Sequence, residues 1–152
     1  MSTSIFVNLP TTDIERSKAF YEGLGFTINP LFTDDNAACV VFGDNIYFMV
    51  LTREYLGTFT DKQIIDPKTQ AQTSIAFTRD SRDEVDEMLA KGLAAGGSEP
   101  REAQDYGFMY SRDLEDPDGN ILGFLYMDQA AAEQGPDAYL AQQGAATGSA
   151  TA

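Results

Sequence analysis

The stretch SIFVNLPTTDIERSKAFYEGLGF, Ser4 to Phe26, decides the fold. Ile5, Val7 and Leu9 alternate in it with Phe6 and Asn8, the period of two of a half-buried strand, and Pro10 ends the run. Thr12-Asp13-Ile14-Glu15 has the spacing of a capping box, which predicts the Thr12 hydroxyl and the Glu15 carboxylate satisfying free backbone donors at a helix start. Ile14, Ser17, Phe20, Tyr21 and Leu24 then share one helical face. Gly25 supplies the positive φ of a C-terminal cap, so a helix is predicted over 13–24.

Three short apolar runs follow, Phe26 to Phe32, Ala37 to Phe42 and Ile46 to Thr52, separated by Asp34-Asp35-Asn36 and by Gly43-Asp44-Asn45. Such turn chemistry between apolar runs predicts strands, the last two paired as a hairpin. Residues 53–72 are polar with scattered Tyr55, Phe59, Ile64 and Ile65, and read as a lid or linker holding at most a short helical turn. The pattern then restarts. Thr73 to Thr78 alternates, Ser81-Arg82-Asp83-Glu84 is a second capping box, and Val85, Met88, Leu89, Gly92 and Leu93 lie on one helical face ended by Gly96-Gly97. A weak extended piece at Ser98 to Ala103 and two stronger ones, Gly107 to Leu114 and Asn120 to Met127, complete it, the last two joined by the turn Asp116-Pro117-Asp118-Gly119.

A shift of 68 superposes Val7 on Ile75, Leu9 on Phe77, Asp13 on Ser81 and Phe20-Tyr21 on Met88-Leu89. The fold expected is α+β: two βαβββ modules forming a curved mixed sheet around a cleft, with the bare sheet faces paired. Module one covers 4–52, the lid or linker 53–72 and module two 73–128 of a single domain at 4–128. A tail at 129–152, rich in Ala, Gln and Gly, is expected to hold a short helix from Pro136 through Ala141 and to be disordered from Gly144 to Ala152.

Composition narrows the function. With 24 acidic and 10 basic residues the net charge is −14, which repels phosphate backbones and makes nucleic acid or an anionic membrane a poor partner. No residue is His, which excludes Ser-His-Asp and Cys-His machinery and every imidazole metal site. The single Cys39 cannot pair within the chain and, mid-strand, reads as a small buried hydrophobe in a reducing cytoplasmic setting. The N-terminus has no signal-peptide pattern and no apolar run approaches the roughly 20 residues of a spanning helix. The acidic run Asp113, Glu115, Asp116, Asp118 lacks calcium-loop spacing and reads as turn chemistry.

Ile5-Phe-Val-Asn-Leu-Pro10, Asp13-Ile14, Ser17 to Tyr21 and Leu24-Gly-Phe26 resemble the opening of the vicinal-oxygen-chelate superfamily, which includes glyoxalase I, extradiol dioxygenases and bleomycin- and fosfomycin-resistance proteins. Ser81 to Asp86, Ala94 to Gly97, Gly107 to Tyr110 and Glu115 to Gly119 resemble its branch of predicted lactoylglutathione lyases, over roughly residues 4–128. For metal-using members the resemblance implies four ligands, His or Gln on the first strand of each module and Glu on the last. Those positions here are Phe6, Phe48 or a neighbour, Ser74 and Gly123, and Tyr106 and Asn120 stand where related lyases tend to carry His. None of the four holds a divalent cation well, so no metal and no cofactor is expected.

The cleft is expected to be lined by Phe6, Asn8, Tyr47, Phe48, Ser74, Tyr106, Tyr110, Arg112 and Gly123, with phenol hydroxyls and rings to meet a planar ligand. Arg53 and Arg112 lie near strand ends, where either could clamp an anion, though pairing with Glu54 or Asp113 is the plainer reading. Three functions stay open. The first in order is metal-free binding or sequestration of a small organic molecule, as in bleomycin-resistance proteins. The second is a metal-dependent glyoxalase, lactoylglutathione-lyase or dioxygenase-like enzyme, and the third a metal-free enzyme using Tyr, Arg or Asp. A homodimer is the expected assembly.

Overall fold

The computed structural model describes residues 2–150, with side chains described through Gly144. Two modules repeat one order of elements. The first comprises β1 (Ile5–Thr11), α1 (Ile14–Gly23), β2 (Thr27–Ile28), β3 (Ala37–Gly43) and β4 (Ile46–Thr52). The second comprises β5 (Ser74–Thr78), α3 (Arg82–Ala94), β6 (Gln104–Asp105), β7 (Met109–Glu115) and β8 (Ile121–Met127). Between them α2 (Arg53–Leu56) and a 3-10 turn (Gly57–Phe59) begin a strap that runs to Thr73. After them come α4 (Gln129–Gln134) and α5 (Pro136–Ala150).

Each module is a mixed four-stranded sheet, in the orders β1-β4-β3-β2 and β5-β8-β7-β6. The first strand pairs in parallel with the last, and the others are antiparallel. The βαβββ duplication is therefore real. The two sheets are not hydrogen-bonded to each other and do not close.

It is the helix-covered faces that meet. Leu9, Phe48 and Val50 from one sheet and Leu114, Leu122 and Phe124 from the other join α1 and α3 in one core. Phe77 of β5 stacks on Phe42 of β3 at 4.7 Å and lies 5.7 Å from Phe48. Phe20 and Tyr21 are wholly buried there, each ring contributing about 1.5–3 kcal/mol of hydrophobic stabilisation. The opposite faces, carrying Phe6 and Asn8 in one module and Ser74, Ala76 and Thr78 in the other, remain open. The expected pairing of bare faces is thus replaced, within the chain, by pairing of covered ones.

A buried polar latch also joins the modules. Asp118 accepts from the hydroxyls of Thr11 (2.6 Å) and Thr12 (3.0 Å), the Thr12 amide (2.9 Å) and the Arg16 guanidinium (2.7 Å). Asp116 accepts from the Tyr21 hydroxyl (2.8 Å), the Asn120 side chain and the Asp118 and Asn120 amides. Burial pushes the Asp116 carboxyl above its ordinary value, and burial followed by the Asp116 charge holds the Tyr21 phenol well above its own. All polar side-chain atoms buried in the described chain have partners, as a folded interior requires.

Local readings fare unevenly. Gly25 has φ +98° and closes α1 as predicted. The helix cap is Asp13, whose carboxylate accepts from the Arg16 amide, because the Thr12 hydroxyl is taken by Asp118. Ser81 caps α3 as predicted, but Glu84 reaches back to Asp80. The strand expected from Phe26 to Phe32 shrinks to two residues, since Pro30 cannot donate to a ladder and Asn29 caps a 3-10 turn instead. Ser98 to Ala103 makes one bridge, Ser98 with Glu115, rather than a strand. Helix α5 passes Ala141 and runs to Ala150, through residues composition marks as disordered, in keeping with its alanines. Thr151 and Ala152 lie outside the described residues.

Candidate functional site

Strand register fixes which side chains face the open side. In module one Phe6, Asn8 and Pro10 pair with Tyr47, Met49 and Leu51. In module two Ser74 and Ala76 pair with Ile121 and Gly123, and Gly123 pairs with Asp113. Phe6 and Tyr47 stack at 4.6 Å, and the Tyr47 hydroxyl donates to the Asp44 carbonyl. Register also equates Tyr47 with Ile121 and Met49 with Gly123. Phe48 therefore matches Leu122, both fully buried on the covered face, not Gly123 on the open one.

Three further expected cleft residues lie elsewhere. Tyr110 and Arg112 point to the covered side of β7, where both bind Asp86 of α3 at 2.6 and 2.9 Å and Arg112 also holds Glu99. The Tyr110 hydrogen bond, with Arg112 behind it, holds the Asp86 carboxyl below its usual range. Tyr106 is 53 % exposed at the β6–β7 turn, its hydroxyl on Gln104. The plainer pairings of the arginines are displaced too, since Asp113 binds Arg101 and Arg53 donates to the Ile64 and Ile65 carbonyls.

The positions implied for metal ligands do not fit a cation. Phe6, Tyr47, Met49, Ser74, Ile121 and Gly123 supply no carboxylate and no imidazole. Asp113 lies beside Gly123, 3.3 Å from where a Cβ would stand, but its charge is already engaged by Arg101. Among the described residues no group of three or more Cys, Asp or Glu side chains could hold a metal ion.

Cavities lie where the strap crosses strand ends. One of about 320 Å³ is walled by Leu56, Ile64, Ile65, Ile75 and Ile121, with Asn8 at its rim. A neighbour of about 240 Å³ shares Pro10 and Pro67 with it and adds Arg53, Lys68, Asp66 and Asp118. A groove of about 480 Å³ spreads over the open face of module one between Phe32, Met49, Leu51, Tyr55 and Phe59, and Asn8 reaches this one too. Of the nine expected residues only Asn8 lines these cavities. Its side chain has no hydrogen-bond partner among the described residues.

Two contacts hold the strap over the first cavity. Arg53 donates at 2.6 and 2.7 Å to the Ile65 and Ile64 carbonyls. Gly119, at φ +100°, lies so close to Pro67 and Lys68 that a Cβ there would come within 2.7–2.8 Å of their backbones. The strap residues Leu56, Ile64 and Ile65 are absent from the expected cleft, because an aperiodic polar segment does not show which side its few apolar residues turn. The length of the 53–72 connection was the available signal.

Comparison with known proteins agrees with this architecture. The family described as bleomycin resistance protein-like N-terminal matches residues 3–43. The chain is similar to the structure of a hypothetical protein from S. aureus, with 26 % identity and a TM-score of 0.70 over 83 % of this chain and 95 % of that one. A glyoxalase-related enzyme from Fulvimarina pelagi shares 20 % identity, TM-score 0.69, over 83 % and 88 %. A glyoxalase/bleomycin resistance protein/dioxygenase family enzyme from Burkholderia phytofirmans PsJN shares 20 %, TM-score 0.67, over 83 % and 99 %. No curated protein matches the sequence. The chain thus shares its fold with proteins described as a glyoxalase-related enzyme and a glyoxalase/bleomycin resistance protein/dioxygenase family enzyme, and its first module matches a bleomycin resistance protein-like N-terminal family, consistent with the resemblance to the vicinal-oxygen-chelate superfamily.

Proposed function

We propose that the protein binds and sequesters a small organic molecule, without a metal, in the cavity beneath the strap. The observation that carries this reading is the lining: an apolar wall with the side-chain amides of Asn8, Gln63, Gln70, Gln72 and Asn120, at about 320 Å³. Apolar walls with sparse polar groups characterise ligand pockets, and this volume sits near the low end of their range of about 300–1,000 Å³.

Chemistry favours capture over turnover. Lys62 is the only ionisable side chain on the lining, whereas acid–base catalysis requires a donor and an acceptor matched to the reacting atoms. Cys39 lies on another strand, and burial raises its thiol pKa, away from the nucleophilic thiolate. A lyase of the glyoxalase kind needs a Lewis acid at the open face, and the side chains there offer no donor set for one.

The test is a thermal-shift screen of small apolar compounds in excess EDTA. A ligand at 100 times its dissociation constant is expected to stabilise the fold by about 2.7 kcal/mol, and Ile65→Trp, which fills the cavity from the exposed strap, to abolish that gain. Stoichiometric divalent metal in the purified protein, or lactoylglutathione lyase activity on adding Ni²⁺ or Zn²⁺, would overturn the proposal.

A further inference from the structure

The ten basic side chains divide five and five. Arg16, Lys18, Arg82, Arg101 and Arg112 each form an ion pair. Arg53, Lys62, Lys68, Arg79 and Lys91 form none among the described residues. With 24 carboxylates competing for ten cations, a basic group left without one stands out. Three of the five belong to the strap, and all three line its cavities: Lys62 the apolar one, Arg53 and Lys68 its neighbour.

Asp61, next to Lys62 in the chain, does not line the apolar cavity. Asp118 is filled by module one, and an Asp66 oxygen caps the Lys68 amide. The apolar cavity has no acidic side chain on its lining. Arg53 meets only carbonyl oxygens, which accept its protons without cancelling its charge.

Resting on the pocket assigned above, we propose that its ligand is an apolar carboxylate, with the hydrocarbon body against Ile64, Ile65, Ile75 and Ile121 and the acid at Lys62. The net charge of −14 opposes any anion, but at physiological salt charges beyond about 8 Å are largely screened. The nearby cations therefore decide the sign. Lys62 is exposed, so the preference it confers is modest, about threefold, as for other solvent-facing ion pairs.

Titrating the isotope-labelled full chain in EDTA, with the Ile64, Ile65 and Ile121 methyl resonances as reporters, tests this with three probes of one shape: 4-phenylbutanoate, 4-phenylbutan-1-ol and 4-phenylbutylamine. The acid is expected to bind about threefold tighter than the alcohol and the amine weakest. Lys62→Gln is expected to remove the acid's advantage and leave the alcohol unchanged, and added salt to weaken the acid alone. An alcohol or amine that matches the acid, an acid insensitive to Lys62→Gln, or an acid that tightens with salt overturns the carboxylate assignment while the pocket stands. If no probe shifts these methyls, the pocket reading itself falls and this inference with it.

Discussion

The latch turn, Glu115 to Asn120, and the strap, Arg53 to Gln72, touch at Gly119, yet they treat polar groups in opposite ways. In the latch Asp116 and Asp118 are 3–4 % exposed and every buried polar side-chain atom has a partner. In the strap Lys62 and Lys68 have no ion pair, and the side-chain amides of Gln63, Gln70 and Gln72 no partner, among the described residues. Desolvating a polar group costs energy unless a hydrogen bond replaces water. Saturation therefore marks the scaffold, and unspent groups mark the surface left for something else.

The largest way to break this contrast is Asp118→Ala. It strands the buried Thr11 and Thr12 donors, whereas Arg16, 40 % exposed, can turn to water, and each buried donor left unsatisfied costs about 1–3 kcal/mol. Urea unfolding is expected to show that loss, and a cost below about 1 kcal/mol would mean that water reaches the site. Next comes Gly119→Ala. Its positive φ costs about 1–2 kcal/mol with any side chain, and the new Cβ displaces Pro67 and Lys68. Amide hydrogen exchange is expected to quicken across 62–72 while α1 and α3 keep their protection.

The smallest effect lies at the exposed pair Arg82–Asp105. The hydrogen bonds from Arg82, then from the Gly107 amide, lower the Asp105 pKa to about 2. A lowered carboxylate pKa contributes stability above the unfolded value, about 3.9, and that stability is lost as pH falls through it toward about 2. Asp105→Asn is expected to flatten the slope of stability between pH 4 and pH 2 only slightly, because water screens the pair. A stability loss at pH 7 as large as that of Asp118→Ala would erase the distinction between buried and exposed charge.

Much of this was legible in the chain. The period-two strands, the capped helices and the shift of 68 all reappear as elements, because each rests on local propensity or on one amphipathic face. The open side was harder. Phe6, Asn8, Tyr47 and Ser74 lie on the open faces, but Phe48 is off by one position, which in a strand reverses the face. Tyr110 and Arg112 read as cleft groups because aromatic and cationic residues suggest ligands. Their true partners, Asp86 and Glu99, lie 13–26 residues away in sequence, and no local pattern reveals them. The strap's role depends on how it lies across β1, β5 and β8, a tertiary fact.

The Thr11–Asp118 hydrogen bond spans 107 residues. During synthesis the Thr11 and Thr12 donors of the first half lack their distant acceptor until the ribosome has released the final hairpin. Contacts so distant in sequence form slowly, so this latch closes only after both modules have been made.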